Sequence, residues 1–321
     1  MSEMNTLDAR ANRTGRLTRF GRNVYRFREL LILMIPAIVW LIVNRYLPMI
    51  GVIIAFKDVN YSLGILRSPW AGFKNFQYLF ATNSAYIITR NTLLYNVSFI
   101  FLDILIPVSL ALLLNELRGK VLPRLYHTIM LFPYFMSMVV VSYLVFAMLS
   151  HANGLMNVSV LPALGREPIN WYAETEYWPF ILPMVHVWKT AGYTTIIYLA
   201  ALAGIDPSYY DAAAIDGAGK FKQARFISIP FLRPVIIILS ILAVGRIFYS
   251  DFGLFYQVPL NSGALYSVTN VIDTYVYRGL TQTNDLGMAS AAGFYQSLVG
   301  FVLVLTTNTI VRRYDPEQAL F

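Results

Sequence analysis

Six stretches of this chain are apolar for about the length needed to cross a bilayer, and that constrains its fold more than anything else. A hydrocarbon core of about 30 Å takes about 20 residues of helix. The stretches are Leu30–Ile54, Ile88–Asn115, Leu125–Leu149, Trp178–Ala203, Phe231–Tyr249 and Leu286–Val311. Backbone polar groups in lipid must be satisfied within the segment, which selects helices. The chain is 57% hydrophobic and 13% charged over 321 residues, against about 25% charged in an average soluble domain. The expected fold class is therefore all-α: a polytopic membrane helix bundle with six transmembrane helices. Pro36, Pro48, Pro107, Pro133 and Pro183 fall inside the stretches. Proline is tolerated there when neighbours satisfy the freed carbonyl, so kinked helices packed against one another are expected.

Basic residues set the orientation. The N-terminus, the 116–124 loop, the 204–233 loop and the tail hold 16 of the 25 lysines and arginines; the loops on the other side hold 6. The positive-inside bias puts both termini and the 204–233 loop in the cytoplasm, in a multi-pass cytoplasmic membrane protein. Residues 1–28 form a basic cytoplasmic segment with seven arginines and no apolar core, so no cleavable signal is expected. Its arginine spacing fits an interfacial helix as well as a solvated topology signal. Residues 29–321 form the membrane domain. The same bias accounts for the net charge of +8 without invoking nucleic acid. There are no cysteines, and His127, His151 and His186 lack metal-ligand spacing. Aromatics in the 150–177 and 250–285 loops suit a headgroup belt or a docking partner.

The polar loop 204–234 carries its own structural signals. Asp206 suits an N-cap and Pro207 the first helical position. Ser208 to Asp216 supports about two and a half turns, and Gly217 and Gly219 offer left-handed conformations to end them. Ala212, Ala213 and Ala214 combine high helix propensity with little bulk, leaving a face that another protein can approach closely. Lys220, Lys222 and Arg225 then alternate with Phe221, Phe226 and Ile229, a pattern for a second short helix on the membrane surface, stopped by Pro230.

Tyr210-Asp211-Ala212-Ala213-Ala214-Ile215-Asp216-Gly217-Ala218, followed by Ile227-Ser228-Ile229-Pro230, resembles the EAA loop of type I ABC importer permeases. The family pattern is Glu-Ala-Ala, three residues, Gly, nine residues, Ile-x-Leu-Pro. The spacing matches throughout, with Asp211 in place of glutamate and Ile229 in place of leucine. The resemblance extends to Pro48–Gly51, Trp70–Phe76, Arg90–Thr92, Trp188-Lys189, Val271–Tyr275 and Asn308–Arg313, which are similar to oligosaccharide-type permeases, alginate importers among them. It implies a coupling helix that docks on a cytoplasmic ATPase, with Asp211, Ala212 and Ala213 at the docking end, Gly217 at the turn, and Ile227 and Pro230 closing the motif. It also implies the partners: a second homologous permease, two ATP-binding subunits that hold ATP and Mg, and an extracytoplasmic solute-binding protein. This chain itself would need no cofactor. Gly217-Ala218-Gly219-Lys220-Phe221 is not a phosphate loop, because Ala214 occupies the first glycine position and Phe221 replaces Ser or Thr.

Ionisable groups inside spans cost about 2.5–3.5 kcal/mol on insertion scales and face the bundle interior. His186, Lys189, Tyr193, Arg246, Tyr249 and Gln296 are candidates for a substrate path, in which aromatic faces suit sugar rings and cations suit carboxylates. Lys189 and Arg246 equally fit an interior salt bridge or a charge held by backbone carbonyls; for Asp103 the structural role is the stronger expectation. The run from Ala289 to Gly293 fits helix packing. An ion-coupled secondary transporter is the alternative function, though such folds usually show repeats and interrupted helices. A membrane enzyme would call for paired carboxylates or a metal cluster at one face, and none stands out.

Overall fold

The computed structural model describes residues 25–117 and 121–314. Most of the basic segment 1–28 and the end of the tail lie outside the described residues. Contacts divide the chain into two units, Met1–Ile53 and Ile54–Phe321. The first contains helix α1 (Arg28–Leu41), which passes into a π turn at Ile42–Tyr46. Tighter 3₁₀ turns, Leu47–Phe56, come next, where Pro48 supplies no amide hydrogen.

In the second unit, a short amphipathic helix α2 (Lys74–Ala81) leads into the long α3 (Asn83–Asn115). Then come α4 (Val121–Leu131), a 3₁₀ turn (Phe132–Phe135) and α5 (Met138–Leu149). Helix α6 (Trp178–Leu202) is next, then α7 (Pro207–Ile215). Helices α8 (Lys220–Gln223) and α9 (Ile229–Val244) flank a π turn at Ala224–Ser228. The last described helices are α10 (Phe252–Gln257), α11 (Ile272–Thr281) and α12 (Leu286–Tyr314). Strand pairing among the described residues is limited to an isolated bridge between Lys57 and Trp70.

Four helical runs, Arg28–Phe56, Asn83–Asn115, Lys220–Val244 and Leu286–Arg313, are long and apolar enough to cross a membrane. Helix α6, at about 37 Å for its length, is long enough but carries His186, Lys189 and three threonines.

The third apolar stretch departs from expectation. Instead of one helix over 125–149, α4 and α5 meet at a 100° bend. Pro133 cannot donate to the preceding turn, and Ser137 starts α5 afresh by accepting from the Val140 amide at 3.3 Å. The segment after Gly219 also departs. Pro230 does not stop a short surface helix: α8, the π turn and α9 form one helical run to Val244. The π turn shifts the hydrogen-bond register just before the proline, whose missing amide falls in the first turn of α9. The run ends earlier than expected, so Arg246 sits in the turn after α9 and Tyr249 just beyond it, rather than inside a span.

Three apolar clusters hold this unit together. One joins Tyr95 and Phe99 of α3 to Trp178 and Leu182 of α6 and to Leu254 and Phe255 of α10. A second gathers Leu79, Ile88, Phe248, Ile272 and Ala292. The third, Ala111, Tyr198, Leu202, Ile205 and Leu232, lies beneath the 204–230 segment, with Tyr210 and Ile227 packed against it. Backbones approach closely where residues are small. A Cβ on Gly192 of α6 would lie 1.9 Å from the Met130 carbonyl of α4, so only glycine fits there. Ala289, Ala291 and Ala292 are buried, as expected for a packing run, and Ala289 meets α11 at Gly279.

Candidate functional site

The loop between α6 and α9 is ordered by its own residues. Asp206 Oδ1 accepts from the Ser208 amide at 2.9 Å and caps α7, with Pro207 at its start. That bond holds the Asp206 carboxyl below the usual carboxylate range. At the other end Gly217 adopts φ +72°. Its amide bonds the Ala214 carbonyl at 3.1 Å, and the Ala218 amide bonds the Ala213 carbonyl at 2.8 Å, the paired bonds of a Schellman ending. Gly219 has φ −67° and caps the next helix, so Gly217 alone supplies the left-handed turn.

Three side-chain contacts hold α7 and its loop in place. The Tyr210 and Ser228 hydroxyls lie 2.9 Å apart. Gln223 Nε2 donates to the Ala218 carbonyl at 3.0 Å. Lys220 pairs with Glu116 at the end of α3 at 2.8 Å. Asp211, Ala212, Gly217 and Pro230 are exposed, and Ala213 and Ile227 are half-buried. Ile215 and Phe221 stand out at 87% and 79% exposure. The result is a small-residue helix with apolar flanks, presented outward and anchored through Tyr210 and Ile227 to the cluster beneath it.

The six residues expected along a substrate path fall into separate groups. Lys189 Nζ donates to the carbonyls of Met136 at 2.6 Å, Tyr134 at 3.0 Å and Pro133 at 3.4 Å, so it satisfies the backbone freed at the α4–α5 bend. Tyr193, one turn later, stacks on Tyr134 with ring centroids 4.5 Å apart and remains exposed. His186 Nε2 lies 3.0 Å from Asp103 of α3, with its ring stacked on Phe99 at 4.0 Å. Thr190 donates to the same carboxylate at 3.3 Å. Asp103, Tyr193, Thr194 and Tyr198 also line a cavity of about 200 Å³ between α3, α6 and α9.

Gln296 is buried in a different cluster. Its Nε2 donates to the Phe248 carbonyl at 2.7 Å and to the Asp273 carboxylate at 3.1 Å, while the Ser250 amide donates to the same carboxylate at 2.8 Å. Arg246 and Tyr249 are exposed, and Arg246 has no ion-pair partner among the described residues.

Sequence reasoning missed the partners rather than the ions. Nothing in the spacing announced that Asp103 would meet His186, 83 residues away, or that Gln296 would meet Asp273. No group of three or more His, Cys, Asp or Glu suitable for a metal occurs among the described residues.

Residues 103–316 match the family described as binding-protein-dependent transport system inner membrane component. The chain is 33% identical over 290 residues to the polygalacturonan/rhamnogalacturonan transport system permease protein YteP of Bacillus subtilis, covering 90% of this chain and 89% of that one. It is 36% identical over 294 residues to protein LplB of the same organism, covering 91% of each. Among solved structures, it superposes with a TM-score of 0.81 and 31% identity on a chain of a bacterial alginate ABC transporter in complex with alginate pentasaccharide-bound periplasmic protein, covering 91% of this chain and 97% of that one. The expected all-α permease fold is that of these relatives, and the chain belongs to the family of binding-protein-dependent transport system inner membrane components.

Proposed function

We propose that this chain is the passive translocation subunit of an ATP-driven importer of oligosaccharides, with acidic saccharides as its substrate class. Its six helical stretches cross the membrane with both termini in the cytoplasm, and α7 passes force from a separate ATPase into the bundle. The observation that carries this reading is α7 itself. It is a capped, exposed, alanine-rich helix fastened to the buried cluster around Tyr198 and Leu232, in a chain without a phosphate loop. Asp211, Ala212 and Ala213 form the docking end, Gly217 sets the turn, and Ile227 and Pro230 join the loop to α9. The remaining partners are a second permease, a second ATP-binding subunit and an extracytoplasmic solute-binding protein; ATP and Mg belong to the ATPases.

The acidic substrate class is supported by the polygalacturonan and alginate named for the relatives and by the exposed Arg246. Along the path, Tyr193, Arg246 and Tyr249 offer aromatic and cationic surface to the sugar. His186, Lys189 and Gln296 hold the neighbouring backbone and carboxylates in place.

The test is reconstitution of the complete complex in proteoliposomes, with ATP inside and binding protein outside, against a panel of acidic and neutral oligosaccharides. ATP-dependent, saturable uptake of acidic oligomers is expected. Uptake that persists without the ATPases and tracks an ion gradient would overturn the reading in favour of a secondary carrier.

A further inference from the structure

We infer that a second saccharide-contacting site lies between α3 and α6, apart from the Lys189 and Arg246 groups, and that Arg90 there receives the carboxylate of a uronate unit. The inference rests on the reading of this chain as a saccharide permease.

The site is a cavity of about 300 Å³ lined by Arg90, Asn91, Leu94, Tyr95 and Ser98 of α3, Pro179 and Pro183 of α6, and Val268. Asn91, Leu94, Tyr95 and Ser98 recur at i, i+3, i+4 and i+7, so one stripe of α3 forms a wall. The volume accommodates about one sugar ring, and leucine and the two prolines give that ring apolar surface to lie against.

One polar side chain gives the cavity a preference. Arg90 is already oriented: its Nε and Nη2 donate to Asn91 Oδ1 at 3.2 and 3.0 Å, and Nη2 donates to the Ser267 carbonyl at 2.8 Å. Both hydrogens on Nη1 remain without a partner among the described residues. Asn91 is itself fixed by donating to the Ser267 and Asn270 carbonyls. A pre-oriented guanidinium with one nitrogen unspent suits a carboxylate, because little side-chain freedom is lost on binding. Tyr95 lines the wall through its ring, since its hydroxyl is buried.

The chemistry is therefore an anionic oxygen group on a ring with an apolar face. A lipid headgroup phosphate shares the anionic part but not the ring, and the experiment separates the two.

Kinetics of the assembled complex in proteoliposomes would be measured with trigalacturonate and with its methyl-esterified trimer, which has the same rings without the charge. Arg90→Gln is expected to raise the KM for trigalacturonate about tenfold, with kcat within twofold and the ester unchanged; Arg90→Lys recovers part of the loss. Tyr95→Phe, which removes only a buried hydroxyl, is expected to leave the KM for both trimers within twofold. Equal effects of Arg90→Gln on both trimers, or none on either, would overturn the site. So would an Arg90→Gln effect that appears in phosphatidylglycerol membranes and vanishes in pure phosphatidylcholine, which would assign the cavity to lipid. Should the wild type import neither trimer, the transport reading fails separately. Equilibrium binding of trigalacturonate to the complex then decides this site: about tenfold weaker binding in Arg90→Gln supports it, and equal or absent binding removes it.

Discussion

Lys189 Nζ lies 2.6 Å from the carbonyl oxygen of Met136, across the bend that turns α4 into α5. A cation on one helix thereby completes the hydrogen bonding of another. Buried carbonyls stripped of their donors are costly in a bilayer, and hydrogen bonds to charged groups contribute about 1.5–3 kcal/mol each. Lys189→Met should lower the thermal midpoint of the complex and reduce uptake of acidic and neutral oligomers alike. Arg246→Gln should leave the midpoint unchanged and reduce uptake of acidic oligomers selectively. Differential scanning fluorimetry beside uptake kinetics separates the two; a charge-selective loss in Lys189→Met with full stability would reassign that lysine to the substrate.

Gly192→Ala puts a methyl group 1.9 Å from the Met130 carbonyl oxygen. The backbone of α4 has to move, and overpacking of this kind costs about 1–3 kcal/mol. The expected result is a lower yield of intact complex and a lower midpoint, measured by size-exclusion chromatography and fluorimetry. A variant of wild-type stability would show that α4 and α6 tolerate a wider separation.

At Gly217 there is room for a side chain, since nothing lies within 4 Å of the position a Cβ would take, but the φ of +72° is strained for any residue with one. The left-handed conformation costs about 1–2 kcal/mol, with asparagine the best tolerated substitute. Transport should fall in the order Gly217→Asn, Gly217→Ala, Gly217→Val, while the binding protein retains its affinity for ligand. Equal transport in all three would mean that the turn plays no part in coupling.

The His186–Asp103 pair joins α6 to α3. Asp103→Ala should destabilise the complex by about 1–3 kcal/mol by leaving the imidazole unpaired. The double replacement His186→Phe with Asp103→Leu should recover most of that loss, since removing both partners is far milder than removing one. A double variant no better than the single would show that the loss lies with the Thr190 bond to Asp103 rather than with the imidazole.

Asp206 gives a pH signature. Its carboxyl is held below the usual range by the Ser208 amide, so its cap is complete above the unfolded-state value, about 3.9, and is lost as pH falls through the lower folded value. Hydrogen exchange at the first amides of α7 should be flat from pH 7 to pH 5 once the intrinsic rate is subtracted, and should accelerate only below pH 4. In Asp206→Asn, where the cap no longer titrates, the acceleration should disappear.

Much of this molecule was legible in its sequence because local rules governed it. The helical stretches came from apolar length, and the ends of α7 from Asp206, Pro207 and Gly217. What escaped was set by partners distant in the chain. Pro133 marked a kink within one helix, but the 100° bend needs Lys189 to satisfy the carbonyls. Pro230 reads as a stop, yet the π turn before it carries the helix through. Arg246 reads as intramembrane on apolar flanks alone, although α9 ends at Val244. Gln296 has the composition of a lining residue, but Asp273, invisible to it by spacing, draws it inside.

The shape of α7 is not spelled out by its own nine residues. Its two ends close locally, but a helix this short is marginal alone, and its fastening comes from Ser228, 18 positions after Tyr210. Transplanting it into another protein would therefore require the stretch from Asp206 through Ser228. A graft cut at Gly217 would carry the motif's spelling and lose its posture.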